Sequence, residues 1–572
     1  MSSRSSSRRS SRNRTAKDKE IIAPGFGTAA DVQRLSNDLG GSLPTSAVQA
    51  MMQSQGRGIR GKSESNGDNP LTSPKTSNAW ADFIQEEGMA SNLLNFDSAV
   101  SKKEDEEPST KRRKTTDAPT EPSTTESIEY DMEFLAKEEG KLPQGTLVQS
   151  GTMDSTLIGR KNPKSTDEAV YHLTVPTVLL PSIAITKVCT SCNAAHAIAI
   201  DKSNQAYGWG RNEGLVLGNA FESDTIPTPQ IIASEIRTAA LGKSHTIFLK
   251  TDGTLHALGT NKSGQCGWRE SIKQSGALKP CLVGAGKKGP GPVFSKIACG
   301  EDFSVALDDQ GIMYTTGSSE FGQLANGETG EYFVTANKLA FANGYGFSIQ
   351  TIFHKTDDKD GSRNDQTKKT VPIPQEIRLQ DVACGKHHAV VLEAPSKNNR
   401  TSRIFSWGSG NYGCLGHGRQ HDEYYPRQVE FFPKGVTATK VAAGSTCCLV
   451  QTVQGHVYYW GQHRSVGDAV MKPQLVDALA NNQHVVTQIG AGSANVACST
   501  DLGNTVVWGN GPYYELGLGT KKSSSKPAFV DSLSGISVLN MACGQGSILY
   551  VVKDGKGLPK ADLAAIEEAL KK

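Results

Sequence analysis

The sequence predicts an all-β fold, a seven-bladed β-propeller, from three observations. A unit made of a small residue, a glycine or its equivalent, two variable residues, an anchor residue and an apolar strand recurs between residues 145 and 557. A second unit recurs between the copies of this first unit. It is a strand that ends in Trp-Gly or an equivalent, followed by a turn and a Gly-x-Leu-Gly-like sequence. Uninterrupted copies lie about 50 residues apart, which is the length of a four-stranded propeller blade.

The anchor residues mark the seven copies of the first unit. A polar residue that recurs at one position of a repeat usually makes a hydrogen bond that joins one strand to the next. The alternative is that these anchor side chains contact a partner. The anchors are His196, His245, Phe303, His388, Cys447, Asn495 and Ser547. Two other sets recur at single positions and are predicted to be buried packing residues. They are Trp209, Trp407, Trp460 and Trp508, and Cys299, Cys384 and Cys543.

The N-terminal end of the repeat region is predicted to close the ring. Seven copies of the first unit are present, but only six complete copies of the second. The missing copy lies upstream, where residues 146–160 have the strand, glycine and turn of the second unit. We expect this strand segment to complete the last blade, because joining the two ends of a ring leaves no open sheet edge.

A G-x-G-x-x-G pattern at Gly408, Gly410 and Gly413 resembles a dinucleotide-binding loop. Equivalent turns in other copies lack the middle glycine, and no helical pattern follows, as a dinucleotide fold requires. We therefore predict that these glycines permit positive φ angles and close backbone approach. The pair Cys189 and Cys192 has no second pair at zinc-ligand spacing. We expect no cofactor, no metal and no covalent chemistry.

Residues 1–126 are predicted to be a disordered tail, rich in serine and arginine at its start and mixed in charge beyond it. Five arginines are candidates for binding a polyanion or an acidic protein surface, with a solvated tail as the alternative. They are Arg4, Arg8, Arg9, Arg12 and Arg14. A second basic run is typical of a nuclear import signal, although such runs also occur by chance. It consists of Lys111, Arg112, Arg113 and Lys114.

The chain is predicted to be intracellular and to have no membrane span. Its N-terminus lacks the apolar core of a secretory signal, and its longest apolar run is short and contains Pro176 and Pro181. The eleven cysteines are therefore expected to be reduced thiols. The formal net charge of +3 hides an uneven distribution of charge along the chain.

The remaining boundaries follow from composition. Residues 127–143 are predicted to be a linker, with a helix as one option, and residues 144–557 to be the propeller. Residues 558–572 are predicted to form a short helix with Leu563, Ile566 and Leu570 on one face.

A charged insert at about residues 342–378 is a candidate functional loop, with an excursion without function as the alternative. Its candidate residues are Lys355, Asp357, Asp358 and Lys359. We expect a monomer.

The repeat resembles that of the regulator of chromosome condensation family, whose members are seven-bladed propellers. The resemblance covers residues 145–557 and all seven copies. Several stretches are similar to one branch of the family, its second paralogue. They are residues 157–161, 194–200, 209–214, 352–361 and 371–385. The basic N-terminal extension also fits that branch.

The resemblance implies a regulator of cell division that binds a small GTPase of the Ras superfamily. The founding member of the family catalyses guanine-nucleotide exchange on the nuclear GTPase Ran and binds nucleosomes. For this chain the resemblance implies guanine-nucleotide exchange, or else binding that limits activation of the GTPase. It also implies a nuclear location with some cytoplasmic pool, and association with centromeres and the spindle in mitosis. It also implies chromatin, DNA, histones or microtubules as partners of the tail. The alternative is a non-catalytic propeller scaffold that docks chromatin, microtubules or proteins.

The resemblance also points to residues that face the GTPase. In the founding member, one face of the propeller engages the GTPase through some anchor side chains and an aspartate just before one anchor. Carried over residue by residue, these fall on Asp302, His196, His245 and His388. The other anchors cannot ionise as histidine does, which weighs against Ran as the substrate.

An exchange factor must stabilise the nucleotide-free GTPase relative to the loaded one. Asp302 is a candidate acidic group that would act near the phosphate-loop lysine of the GTPase, and the insert is a candidate wedge. The alternative for Asp302 is a turn residue whose carboxylate accepts hydrogen bonds from local backbone amides.

Overall fold

A computed structural model describes residues 143–158, 169–283, 291–329, 346–350, 377–396, 402–433, 435–462, 468–480 and 485–571. Within them, seven antiparallel sheets of four strands each form the blades of a propeller. The predicted all-β, seven-bladed propeller is therefore confirmed. The predicted tail, with the basic residues from Arg4 to Arg14 and from Lys111 to Lys114, lies outside the described residues.

Each blade places its first strand nearest the central channel, where the first strands of neighbouring blades contact one another. The bounds follow in chain order: β1 (Thr146–Thr152) and β2 (His172–Val178) in blade 7; β3 (Ile185–Cys189), β4 (His196–Asp201), β5 (Ala206–Arg211) and β6 (Thr225–Ala233) in blade 1; β7 (Ile236–Leu241), β8 (His245–Lys250), β9 (Leu255–Thr260) and β10 (Gln274–Pro280) in blade 2; β11 (Phe294–Cys299), β12 (Phe303–Asp308), β13 (Met313–Gly317) and β14 (Ser348–Gln350) in blade 3; β15 (Leu379–Cys384), β16 (His388–Glu393), β17 (Ile404–Gly408) and β18 (Glu423–Gln428) in blade 4; β19 (Ala438–Ala443), β20 (Cys447–Thr452), β21 (Val457–Gly461) and β22 (Val470–Leu475) in blade 5; β23 (Val486–Ala491), β24 (Asn495–Thr500), β25 (Thr505–Gly509) and β26 (Ser524–Phe529) in blade 6; and β27 (Val538–Cys543) and β28 (Ser547–Val552), again in blade 7.

Blade 7 closes the ring with strands from both ends of the repeat region. Its strand order is β2-β1-β28-β27, and β1 pairs antiparallel with β28 from Thr146 opposite Val552 to Gly151 opposite Ser547. This confirms the predicted closure by the N-terminal segment. The strand β2, which contains Pro176, was not predicted from the sequence. An outer strand tolerates proline, because one of its edges donates no hydrogen bond to a neighbouring strand.

Apolar side chains fill the space between neighbouring blades, where their removal from water stabilises the ring. One such cluster joins Phe303 of blade 3 to Trp407 of blade 4. Three of the four recurring tryptophans, Trp209, Trp407 and Trp460, also donate hydrogen bonds to the preceding blade. Trp407 Nε1 donates to the carbonyl oxygen of Gln323 at 2.9 Å, and Trp460 Nε1 donates to that of Cys414 at 2.7 Å. These side chains therefore join blades by hydrogen bonds as well as by packing.

The glycines of the G-x-G-x-x-G pattern have structural roles. Gly408 ends β17 with a φ of 96°, and Gly413 has a φ of 68°. A Cβ atom at Gly408 would overlap the carbonyl oxygen of His387, so the close approach of two backbones also requires glycine there. The prediction of positive φ is confirmed at these two positions and is wrong for Gly410, whose φ is −91°. The predicted close approach is confirmed at Gly410, because a Cβ atom there would overlap the carbonyl oxygen of His421.

The C-terminal segment packs along the outer edge of the closing blade. Val178 N in β2 donates to Pro559 O at 2.8 Å, and Ala561 N donates to Val178 O at 2.9 Å. The two α-helices of the described chain are α1 (Asp477–Ala480) and α2 (Leu563–Lys571). Ile566 of α2 is buried in the core between blades 7 and 1. No helix in the described ranges combines the length and apolarity needed to cross a membrane. All eleven cysteines are free.

Candidate functional site

The propeller has two faces that differ in the connections they carry. Because the strands of a blade are antiparallel, the loops from first to second strand and from third to fourth strand lie on one face, which we call the loop face. Asp302 and the turns before the anchors lie on the loop face. Gln350 ends β14 and Ile377 lies just before β15, so the chain between them leaves and re-enters at the opposite face.

The charged insert is divided by the structure. Residues 348–350 form β14, the outer strand of blade 3, and pair with β13. Lys355, Asp357, Asp358 and Lys359 lie outside the described residues. Asp302 lies on the loop face, whereas Gln350 and Ile377, which flank the stretch 351–376, lie at the opposite face, although the exchange hypothesis combines Asp302 and the insert in one mechanism.

The three anchor histidines tie adjacent blades together. Each is buried at the start of the second strand of its blade and points Nε2 at the second residue of the second strand in the next blade. The distances are 2.9 Å from His196 to Thr246 Oγ1, 2.9 Å from His245 to Ser304 Oγ, and 3.3 Å from His388 to Cys448 Sγ. The predicted hydrogen bond from the anchor to another strand is therefore present, and that strand belongs to the next blade.

The partner hydroxyl group determines which form of imidazole is present. Ser304 Oγ donates its single hydrogen to the carbonyl oxygen of Gln265 at 2.9 Å, so it accepts from Nε2–H of His245. Burial lowers the pKa of His196 and His245 to about 3, and that of His388 to about 4. The three rings are neutral and buried, and they present no charge at the loop face.

The next blade explains which anchors are histidine. Each histidine faces a hydroxyl or thiol group, whereas the corresponding position is apolar after every other anchor. These pairs are Phe303 with Ala389, Cys447 with Val496, Asn495 with Ile548, and Ser547 with Ala197. The side-chain polar atoms of Asn495 are buried without a hydrogen-bond partner among the described residues. This pairing between copies is the signal in the sequence that identifies the histidines as ties between blades.

A group of charged side chains lies one or two residues before the anchors of blades 2, 3 and 4. The Glu301 carboxylate lies 2.6 Å from Lys243 Nζ, 3.5 Å from Lys386 Nζ and 3.2 Å from His387 Nε2. We call these four residues the mouth cluster. The side chain of Glu301 is 11% exposed, whereas those of Lys243 and Lys386 are 62% and 47% exposed. The cluster therefore shows cations to the solvent and holds its anion inside.

The charges of the mouth cluster set the ionisation of its members. Burial raises the pKa of Glu301, but the hydrogen bond from Lys243 and the charges of Lys386, Lys243 and His387 outweigh this effect, so its pKa is lowered. Burial lowers the pKa of His387, Glu301 opposes this effect, and the two lysines add to it. The ring of His387 packs against Phe321 with 4.9 Å between centroids. Glu301 is an anion that the lysines already neutralise.

Asp302 is held by the neighbouring loops of blade 2. Its Oδ1 accepts a hydrogen bond from Gln265 Nε2 at 3.2 Å, and the Ser244 side chain also bonds its carboxylate. Burial and the nearby charge of Glu301 raise the pKa of Asp302. These bonds come from side chains of another blade, whereas the turn interpretation expected local backbone amides.

Hydrogen bonds between loops make the mouth of the channel one connected platform. Lys243 N donates to Glu301 O at 3.2 Å, and Glu301 N donates to Lys386 O at 3.0 Å. Across the mouth, Asn193 Nδ2 of blade 1 donates to Gly385 O of blade 4 at 3.2 Å. Blades 1 and 4 are not neighbours in the ring, so this bond narrows the channel at the loop face.

The chemistry that the loop face offers is electrostatic binding. The three anchor histidines are buried and engaged with hydroxyl or thiol groups. In the part of the chain that the structure describes, no group of three His, Cys, Asp or Glu side chains is placed to hold a metal ion. The exposed ammonium groups of Lys243 and Lys386 are suited to charge-assisted hydrogen bonds with carboxylates.

Comparisons with known proteins extend these observations. The family model described as RCC1-like domain matches residues 150–550. The protein RCC2 homolog of Xenopus laevis is 31% identical over 470 residues, which cover 79% of this chain and 86% of that protein. The human protein RCC2 is 30% identical over 449 residues, which cover 76% of this chain and 81% of that protein.

A solved structure shows the same fold. Prp20p from Saccharomyces cerevisiae, described together with its binding properties to Gsp1p and histones, matches with a TM-score of 0.56 at 18% identity. The match covers 78% of this chain and 98% of Prp20p. At this identity the likeness concerns the propeller architecture alone.

Proposed function

We propose that this chain, which belongs to the family of RCC1-like domains, binds a Ras-superfamily small GTPase through its loop face. Binding is proposed to accelerate guanine-nucleotide exchange. Two points support this proposal. Relatives named RCC2 align with more than three quarters of the chain, and Prp20p, which shares the fold, is described with binding to Gsp1p. The proposal includes a role in cell division and a nuclear location with centromere and spindle association.

The observation that carries the proposal is the mouth cluster. Lys243 and Lys386 expose ammonium groups on a platform whose loops are joined by hydrogen bonds. Such a surface complements an acidic patch on a partner and favours both correct orientation and fast association. Because the platform is already ordered, little conformational entropy is lost when the partner binds.

The proposed mechanism involves no covalent bond. Nucleotide release is accelerated when the regulator binds the nucleotide-free GTPase more tightly than the loaded form. The two lysines would supply this difference by pairing with carboxylates that become available when the nucleotide leaves. Asp302 would have a positioning role, since its bonds to Gln265 and Ser244 fix the loop beside Glu301.

Release of fluorescent GDP from a panel of Ras-superfamily GTPases tests the proposal with the full chain. We expect acceleration on one member, and a loss of at least about tenfold in the variant Lys243→Glu/Lys386→Glu. Lys526→Glu is the matched control, because Lys526 is exposed on the outer strand of blade 6. Asp302→Ala and a deletion of residues 351–376 test the two parts of the exchange hypothesis separately. No acceleration on any member would overturn the exchange activity.

A second candidate function is a non-catalytic scaffold on chromatin or microtubules. Its supporting observation is that Prp20p is described with binding to histones. The five arginines between Arg4 and Arg14 would bind the polyanion, in a salt-dependent manner. Replacing them with glutamine in the full chain should weaken binding to DNA, nucleosomes or microtubules and reduce its salt dependence. Replacing the run from Lys111 to Lys114 with glutamine should move a fluorescent fusion out of the nucleus.

A further inference from the structure

The central channel contains a set of polar side chains that the proposed function does not use. They occupy the third position of the first strand in every blade, next to an irregularity in pairing that recurs in all seven first strands. We call this set the channel ring. Its members are Lys187, Thr238, Lys296, Asp381, Lys440, Gln488 and Asn540.

Two members show that the channel ring follows the wall of the channel. Asp381 Oδ2 accepts a hydrogen bond from Val441 N at 3.1 Å, and Asn540 Oδ1 accepts one from Val188 N at 2.9 Å. Both N–H groups belong to the first strand of the next blade and lie on the edge that no strand covers. Because that edge faces the channel, side chains at the third position lie along its wall.

Two basic side chains beside the channel are engaged with the protein. Lys440 Nζ donates to Thr487 O and to Gln488 Oε1, both at 3.2 Å. Arg237 precedes the channel-ring residue of blade 2, and its Nη2 donates to Phe294 O at 2.7 Å. These bonds go to neutral oxygen atoms, so neither positive charge is neutralised by them.

Lys187 and Lys296 differ from these two cations. In the ranges that the structure describes, no hydrogen bond or ion pair joins either amine to another residue, and both side chains are half-buried. Burial lowers the pKa of Lys187, the charges of Lys296 and Arg237 lower it further, and Cys189 and Asp381 oppose them. Four basic side chains thus accompany a single channel-ring carboxylate. An excess of positive charge in a confined space attracts anions.

The two mouths of the channel differ. At the loop face, the bond from Asn193 to Gly385 crosses the mouth. Beyond the channel ring toward that face, the first strands continue with small or apolar residues such as Val188, Ile297 and Val441. The channel ring lies near the start of the first strands and therefore near the opposite face. An anion would reach it from that face without displacing a partner at the loop face.

We propose that the channel ring binds a small polyphosphate. Phosphate oxygens accept hydrogen bonds from several ammonium groups at once, and Lys187 and Lys296 offer donors that no residue in the described ranges uses. A ligand with more than one phosphate group reaches amines on different blades, whereas a single phosphate reaches fewer of them. The bound ligand would join first strands across the channel and so stabilise the ring against unfolding.

Isothermal titration of the full chain with inorganic tripolyphosphate tests the proposal. The background variant carries glutamine at Arg4, Arg8, Arg9, Arg12, Arg14 and at residues 111–114, so that the tail does not bind the anion. We expect one binding event, weakened about tenfold by Lys187→Gln and by Lys296→Gln. Lys553→Gln, at an exposed lysine outside the channel, should leave the affinity unchanged.

Further arms of the titration identify the ligand and guard against misfolding. Lys296→Arg keeps the positive charge and should retain the affinity within about threefold. Comparison of Lys296→Arg with Lys296→Gln therefore tests whether the charge at this position binds the anion, even if Lys187→Gln unfolds. Titration with ATP distinguishes the sources of the phosphates: tighter binding than tripolyphosphate assigns a nucleotide, and weaker binding assigns a free polyphosphate. Absence of saturable binding, or glutamine variants that bind as tightly as the background variant, would overturn the proposal.

Discussion

His387 and His388 are adjacent in the chain but belong to two regions of the molecule. His388 belongs to the layer of anchors, where it is buried and its Nε2 contacts Cys448 in the next blade. His387 belongs to the mouth cluster, where its Nε2 lies 3.2 Å from the Glu301 carboxylate and its ring packs on Phe321. The comparison teaches that a histidine at a repeated position joins the scaffold, whereas the variable residue before it belongs to the charged cluster of the loop face. The predictions below test this division.

The largest effect on stability is expected in the anchor layer. His245→Ala removes a buried ring and its hydrogen bond to Ser304, so the free energy of unfolding should fall by about 3 kcal/mol. Urea unfolding measures this change. The double variant His245→Phe/Ser304→Ala reproduces the Phe303 and Ala389 pair of blades 3 and 4 and should recover about half of the loss. Equal losses in the two variants would show that the pairing between blades has no energetic role.

A smaller, pH-dependent effect is expected at Glu515. This carboxyl group lies in a turn where two other copies have Gln265 and Gln323, and its Oε2 accepts a hydrogen bond from Tyr513 N at 2.8 Å. Burial raises its pKa to about 8, above the value of about 4.3 in an unfolded chain. The folded state therefore holds this proton more tightly, and the stability that it contributes is lost as the pH rises from about 4 through 8.

Glu515→Gln should remove this pH dependence. We expect the variant to unfold with about the same free energy as the parent at about pH 5, and to be more stable by about 2 kcal/mol at about pH 9. Urea unfolding at both pH values measures the difference. This result bears on the comparison of the mouth cluster with the layer of anchors, because Glu515 lies in a turn of the loop face but is as buried as the anchors. A difference in the free energy of unfolding between the variant and the parent that does not change with pH would contradict the raised pKa of Glu515.

The smallest effect is expected for the tryptophans that join blades. Trp460→Phe removes the hydrogen bond from Nε1 to Cys414 O, which should cost about 1 kcal/mol beyond the loss of packing. Trp508→Phe is the matched control, since no hydrogen bond joins Nε1 of Trp508 to another described residue. Equal thermal destabilisation in the two variants would show that packing alone accounts for the recurring tryptophan.

Most of the fold was predictable because the repeat is regular. Recurring glycines, anchors and tryptophans mark the blades, and the missing second unit places the N-terminal strand in blade 7. β2 could not be predicted from the same signals, because Pro176 interrupts the alternation of an ordinary strand. The anchor histidines left two interpretations open, since their hydrogen-bond partners lie on the next blade, 50, 59 and 60 residues away.

The mouth cluster was missed although the sequence contains a signal for it. Lys243, Glu301 and Lys386 each follow the glycine of their unit, so opposite charges occupy one position in successive copies. A propeller places such positions side by side, which predicts ion pairs between blades. The resemblance to the family directed attention to Asp302, which the structure places against Gln265 and Ser244 instead.

The measurement that tests the division most directly compares two full-chain variants for binding to the GTPase found in the exchange panel. Lys243→Glu/Lys386→Glu changes the mouth cluster, and His245→Phe/Ser304→Ala changes the anchor layer below it. Isothermal titration should show a loss of at least about tenfold for the first variant and an affinity within about twofold of the parent for the second. Loss of binding in the anchor variant while it remains folded, with binding retained in the lysine variant, would contradict the account.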